Sequence, residues 1–349
     1  MSPAPPSGPA APRVPLSVLD LSPVVSGRPP AAALRESVEL ARTAERLGYH
    51  RYWVAEHHSS PAVVSAPAVL LATVAAATTT LRVGAGGVML PNHSPLQVAE
   101  TFRALEALHP GRVDLGLGRA AGTDGRTALA LRRSRQALGS EDFAEQYAEL
   151  RGYVEGLPPG HPFAGITAMP TGVPLPPVWV LGSSDHGARV AAALGTGYAY
   201  AGHLGTLDPQ VPLRAYREAF VPSPARAEPH AVLAVAAVVA ADAGRAADLA
   251  HAATLATVRR RLGAAAPLPS PQEAAAHRWT LAERTTAGRL GEHLLAGTAE
   301  DVAGRLARLA RRAGADELLV VTPVHDPAER AASYALLAGA WPGALAAAA

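Results

Sequence analysis

The feature that most constrains this chain is an alternation, eight times over, of a short apolar run and a longer stretch with helical spacing. The runs fall at Leu16–Leu21, Arg51–Glu56, Leu81–Val88, Val113–Gly118, Val178–Gly182, Tyr198–Ala201, Val232–Ala240 and Leu318–Thr322. Between them, Ala32–Leu47 puts Leu34, Val38, Ala41 and Ala44 on one face and stops at Gly48. Pro95–Leu108 does the same with Val98, Phe102, Leu105 and Leu108. Eight strand–helix units predict an α/β fold, a (β/α)8 TIM barrel with right-handed crossovers and functional residues where strands run into loops. A doubly wound open sheet carries the same alternation and is the structural alternative.

Two segments break the rhythm. Thr123–Pro177 is an insertion after strand 4 with one expected helix, about Ser140–Gly156, followed by the Pro/Gly-rich run Leu157–Pro177. Gly263–Leu290, a long loop between strands 7 and 8, opens with GAAAPLPSPQE. Connections of this length in a compact domain are functional or disordered. The second is expected to be a lid, with Arg278 and Trp279 covering the site. Thr298 with Asp301 three residues on predicts a capping box on the helix before the last strand. Residues 1–12, rich in Pro and Ala and without a charged start, read as a disordered tail rather than a secretory signal, and 13–349 as a single barrel domain.

Two absences in the composition narrow the chemistry. The chain has no Cys, and all 31 of its basic residues are Arg. Thiolate nucleophiles, Cys-held iron–sulfur or zinc sites, lysine Schiff bases and a Walker-type lysine are therefore excluded. A net charge of +2 on an almost balanced chain implies no nucleic-acid partner. No unbroken run of 18 apolar residues implies a membrane span, so the expectation is a cytoplasmic protein.

The strand ends carry the candidate chemistry. After the second strand come Glu56, His57 and His58; the plain alternative is a solvated or capping histidine pair. Adjacent histidines on an extended chain point to opposite sides, and no spaced set completes a metal shell. The third strand holds Gly84, Gly86 and Gly87, which weaken it unless a flat ligand or the chain itself approaches closely. The fourth delivers G-L-G-R-A-A-G, where Gly116, Gly118 and Ala121 formally satisfy a relaxed dinucleotide fingerprint. That fingerprint belongs to the first βα unit with an acidic residue about 20 positions on, a context missing here. Arg119, just past this strand, can clamp a phosphate bidentately or serve as a surface ion-pair partner. Gly182, Ser183 and Ser184 open a helix whose N-terminus suits an anion, though an ordinary Ser cap has the same spelling. The sixth strand ends at Ala201, Gly202 and His203, placing a further histidine at the same rim.

In order along the chain, LGYHRYWVAEHH, VGAGGVMLPNHSPLQVAETFRALEALHPGRVDLGLGR, the GSS after the fifth strand and GTAEDVAGRL resemble the bacterial luciferase-like flavin monooxygenases, over Val14 to about Ala340. The closest likeness is to the non-luminescent, single-component-type relatives of bacterial genomes and antibiotic pathways. The resemblance implies a TIM barrel binding reduced FMN at the strand C-terminal ends. It implies His57 as the catalytic acid/base beside the flavin, Glu56 among the cofactor-binding residues, and Gly86-Gly87 as a non-proline cis peptide against the isoalloxazine. Arg119, with Ala121 beside it, Gly182, Ser183 and Ser184 would hold the phosphate, and His58 and His203 would face the substrate. The luciferase's reactive cysteine and phosphate-side glutamate are Gly118 and Gly182 here.

The implied reaction joins O2 to reduced FMN as a flavin hydroperoxide that hydroxylates a small organic substrate or inserts oxygen in a Baeyer–Villiger step. Reduced FMN is expected from a separate NAD(P)H:flavin reductase, and the protein is expected to be a homodimer. A deazaflavin-dependent hydride-transfer enzyme on the same barrel, and a flavin-binding protein without catalysis, are the competing readings.

Overall fold

The computed structural model describes residues 14–132, 142–204, 207–290 and 294–341. The expected tail, residues 1–12, lies outside the described residues. The strands are β1 (Leu16–Asp20), β2 (Arg51–Val54), β3 (Arg82–Ala85), β4 (Val88–Met89), β5 (Val113–Gly118), β6 (Val178–Gly182), β7 (Gly197–Tyr200), β8 (Ala231–Val239), β9 (Leu295–Gly297) and β10 (Glu317–Val321). All pairings are parallel, in the order β10–β1–β2–β3–β5–β6–β7–β8, and β8 pairs back to β10 with Leu233 opposite Leu318. That last pairing closes an eight-stranded TIM barrel and excludes the open sheet. β4 extends the wall beside β5, and β9 pairs with the end of β8.

The helices are α1 (Pro30–Arg46), α2 (Pro67–Ala77), α3 (Pro95–Leu108), α4 (Gly125–Arg132), α5 (Phe143–Glu155), α6 (Asp185–Ala193), α7 (Gln210–Ala219), α8 (Ala243–Arg261), α9 (Pro271–Ala276), α10 (Leu281–Arg289), α11 (Ala299–Ala313) and α12 (Pro327–Ala340). Side chains alternate faces along a strand. Trp53, Trp179, Ala199, Val232 and Leu319 therefore fill the barrel interior. Their neighbours Tyr52, Val54, Val180, Tyr198, Leu233 and Val320 pack outward against the helices. A strand buried on both faces reads as an unbroken apolar run, which is why the eight runs stand out in the sequence.

The strand N-terminal end of the barrel is sealed by charge. Arg51 donates to Asp114 at 2.7 Å and to both carboxylate oxygens of Glu317 at 2.7 and 2.9 Å, while Arg82 reaches Asp114 at 2.6 Å. The Arg51 guanidinium also lies 4.9 Å from the Trp179 ring centroid. Charged groups sealed here are structural, since the loops that carry function leave the opposite end.

Three local expectations need correction. The run Leu81–Val88 is not one strand: the Gly86–Gly87 peptide is cis and separates β3 from β4. The insertion after the fourth barrel strand holds α4 as well as α5; Ser140, the expected start of the latter, lies outside the described residues. Thr298 does precede α11 but makes no side-chain cap, and the Asp301 carboxylate instead meets Arg305 at 3.3 Å. The capping boxes belong to Ser270 with Glu273 and Thr280 with Glu283, inside the long connection.

Candidate functional site

A cavity of about 320 Å³ opens at the strand C-terminal end of the barrel. Leu21, His57, Ala236 and Val321 reach it from four barrel strands or the residues just past them, and His203 from the turn after β7. Ala265, Ala266 and Leu268 contribute from the long connection. The lining is mostly apolar, so water that enters finds few partners, and charge inside is weakly screened.

His57, three residues past β2, is fixed through its backbone amide, which donates to Val64 O at 2.8 Å. Its Nδ1 is buried without a hydrogen-bond partner among the described residues. Burial lowers its pKa, and the positive charge of Arg260 adds to that against the opposing pulls of the Ala55 carbonyl and Glu56. His203 is pushed down to about 3 by burial, with Arg260 and His57 contributing. Both imidazoles are neutral at pH 7, so each can take a proton.

Glu56 is fully buried and points away from this pair. Its carboxylate accepts from His58 Nε2 at 2.7 Å, from His93 Nε2 at 2.8 and 3.0 Å, and from the Met89 amide at 3.1 Å. Burial works to raise its pKa, but the His93 bond and charge, the His58 bond and the Met89 amide together lower it. An ionised carboxylate only accepts, so both histidines carry their proton on Nε2. Glu56 thus ties the loop after β2 to the end of β4 and the turn that follows it, across the cis peptide.

The glycines here leave no room for side chains. A Cβ on Gly116 would stand 2.0 Å from Ala85 O, and one on Gly87 would stand 2.8 Å from Gly116 O. At Gly84 the close approach comes from the chain itself, since its Cβ would meet the Trp53 indole at 2.6 Å. No ligand is needed to explain that glycine.

Arg119 leaves the end of β5 toward the first turn of α6. Its Nη2 lies 3.5 Å from where a Cβ on Gly187 would stand, and its Nε is buried without a hydrogen-bond partner among the described residues. Ser184 caps α6, accepting from the Gly187 amide at 3.5 Å, and Tyr198 Oη donates to Ser184 O at 3.0 Å. Gly182 lies against Gly187, with Cα 3.4 Å from its Cβ position. The first amides of a helix lack intrahelical acceptors and carry the positive dipole end. A guanidinium and a helix N-terminus therefore converge here, as a phosphate requires.

The structure brings Glu56, His57, His58 and His203 to one rim, and Arg119, Gly182 and Ser184 to a second cluster. The Ala121 carbonyl accepts from Asn92 Nδ2 at 2.9 Å. The long connection is folded rather than loose. Leu268 bonds reciprocally to the segment after β1, its amide to Val24 O at 2.8 Å and its carbonyl to the Ser26 amide at 2.9 Å. Arg278 and Trp279, expected to cover the site, do not line the cavity. Arg278 is exposed, and Trp279 packs on Ala252, Leu255 and Ala274 beside His251 and His277. The aromatic ring finds apolar surface on the outer side of α8 instead. Sequence reasoning missed His93 and Arg260. Among the described residues, no helix is long and apolar enough to cross a membrane.

A family model described as luciferase-like monooxygenase matches residues 15–317. The uncharacterised protein YvbT of Bacillus subtilis is 42% identical over 334 residues, covering 93% of this chain and 96% of that one. A luciferase-like monooxygenase of Escherichia coli K12 is 38% identical, covering 92% and 95%. The solved structure of apo-MsnO8 is 37% identical with a TM-score of 0.83, covering 94% and 98%.

Proposed function

This chain belongs to the luciferase-like monooxygenase family, and from that premise we propose that it is an FMN-dependent monooxygenase acting on a small organic substrate. The observation that carries the reading is Arg119, whose Nε is buried and unpartnered and whose Nη2 lies beside the first turn of α6. Arg119 and the start of α6 would hold the phosphate, and Gly86 and Gly87 would lie against the ring. Reduced FMN supplies the electrons with which O2 is activated, one oxygen atom going to the substrate and the other to water.

The chain's own residues position and protect. The apolar cavity keeps water from the reacting groups. His57, neutral at pH 7, takes and returns a proton at a ring nitrogen, the task for which a histidine is suited. Glu56 fixes His58 and His93 and so shapes the wall between the two clusters. The first βα turn carries no dinucleotide fingerprint, which supports a separate reductase as the electron source.

The test is oxygen consumption by the full chain with photoreduced FMN, set beside hydride transfer with a reduced deazaflavin. Consumption of O2 together with oxygenated product supports the reading. Hydride transfer from the deazaflavin with no use of O2 replaces it.

A further inference from the structure

Among the described residues, the cavity is lined by one permanent charge, Arg260, near the C-terminal end of α8. No Asp or Glu among the described residues lines the cavity. Among the described residues Arg260 makes no hydrogen bond and no salt bridge, whereas its neighbour Arg261 is spent on Leu204 O at 2.6 Å. Arg260 lines the cavity and is exposed to solvent. Nearby protein and the charge of Arg261 lower its pKa, though it stays protonated. The titratable groups it faces across the cavity, His57 and His203, are neutral and gain nothing from its charge. A guanidinium on an apolar wall with no carboxylate beside it is free to pair with an anion that enters the cavity.

We infer that the substrate is a small organic acid, its carboxylate paired with Arg260 and its apolar body held against Leu21, Val321 and Leu268. The guanidinium fork matches a carboxylate with two parallel bonds, and the apolar walls select a hydrocarbon rather than a sugar or nucleotide body. This rests on the reading of the cavity as the substrate site of the proposed oxygenase. Arg260 is then the residue that sets specificity and orients the substrate against His57.

The experiment is calorimetric titration of the full chain with hexanoate and with hexanamide, its neutral counterpart. Wild type should favour the acid by about ten- to a hundredfold, the worth of a charge-assisted bond. Arg260→Gln should abolish the preference, Arg260→Lys should keep most of it, and Arg119→Ala should leave it unchanged. FMN affinity should be equal in wild type and Arg260→Gln. Equal binding of acid and amide by wild type overturns the inference, as does a preference that survives in Arg260→Gln. A loss of FMN binding in Arg260→Gln with the acid preference intact assigns the guanidinium to the cofactor and also overturns it. Failure of wild type to bind FMN counts against the oxygenase alone and leaves the acid preference standing.

Discussion

His93 Nε2 lies 2.8 and 3.0 Å from the two carboxylate oxygens of Glu56, so a single buried acid holds the loop after β2 against the loop after β4. Glu56→Met keeps the length of the side chain and removes every acceptor, leaving His58, His93 and the Met89 amide with unmet donors. Hydrogen bonds to charged groups are worth about 1.5–3 kcal/mol each. The variant should lose about 3 kcal/mol or more of stability in denaturant unfolding. A loss under 1 kcal/mol would mean that the histidines find water or other partners easily.

His57 is expected to govern oxygenation and not cofactor affinity, because the residues that would hold the phosphate stand in the other cluster. General acid–base groups contribute about a hundred- to ten-thousandfold. His57→Ala should bind FMN nearly as wild type does while product formation falls by that factor and hydrogen peroxide takes its place. In wild type, the rate should hold from pH 8 down to about 6.5 and fall only below it, since burial lowers the His57 pKa. An acid limb centred above 6.5 would remove the assignment.

The strands were legible because each faces apolar surroundings on both sides, and the candidate rim followed from where they end. The break at Gly86–Gly87 was not, since periodicity carries no information on peptide geometry; only the family resemblance pointed there. α4 escaped notice because its start is a polar turn, in which Asp124 accepts from the Arg126 and Thr127 amides at 2.9 and 3.0 Å. T-D-G-R-T was the available signal. Arg260 was hidden in an Arg-Arg-Arg run, which at a helix C-terminus reads as solvated charge complementing the dipole. Trp279 was placed over the site because an aromatic residue in a long connection suggests a cover, whereas Leu255 and Ala252 gave it a dry surface elsewhere.

Acid should destabilise the protein in two overlapping windows, of which only the first operates above pH 4.5. His203 has a folded pKa of about 3 against an ordinary 6.5, so the unfolded chain takes up a proton that the folded chain refuses. Stability then falls as pH drops below 6.5, by up to about 1.4 kcal/mol per pH unit. Glu317 sits at about 2 against an ordinary 4.5: burial opposes ionisation, but the charge and hydrogen bonds of Arg51, with His230 and His50, together outweigh it. Its contribution is complete above 4.5 and lost as pH falls toward 2. Unfolding curves of His203→Asn between pH 6.5 and 4.5 should show a shallower pH slope than wild type. Parallel slopes would place a proton on folded His203.

The long connection is clipped to the segment after β1 by the Leu268 pair and by a bond from Ser26 Oγ to Glu273, with His325 Nε2 3.0 Å from Ser26 O. Glu273→Ala removes one clip and one capping box without touching the cavity. Hydrogen exchange at the Leu268 and Ser26 amides should quicken by tenfold or so, the worth of about 1.4 kcal/mol, while exchange in β1 stays slow. Unchanged exchange at both amides would show that the backbone pairing holds the segment alone.

The central claim is that Arg119 and the start of α6 form a phosphate site for FMN, and titration of the full chain with FMN tests it most directly. Wild type should bind, and Arg119→Ala should bind about ten- to a hundredfold more weakly, as the loss of a charge-assisted contact requires. Riboflavin, which lacks the phosphate, should bind both proteins alike. Equal FMN affinity in wild type and Arg119→Ala would contradict the account.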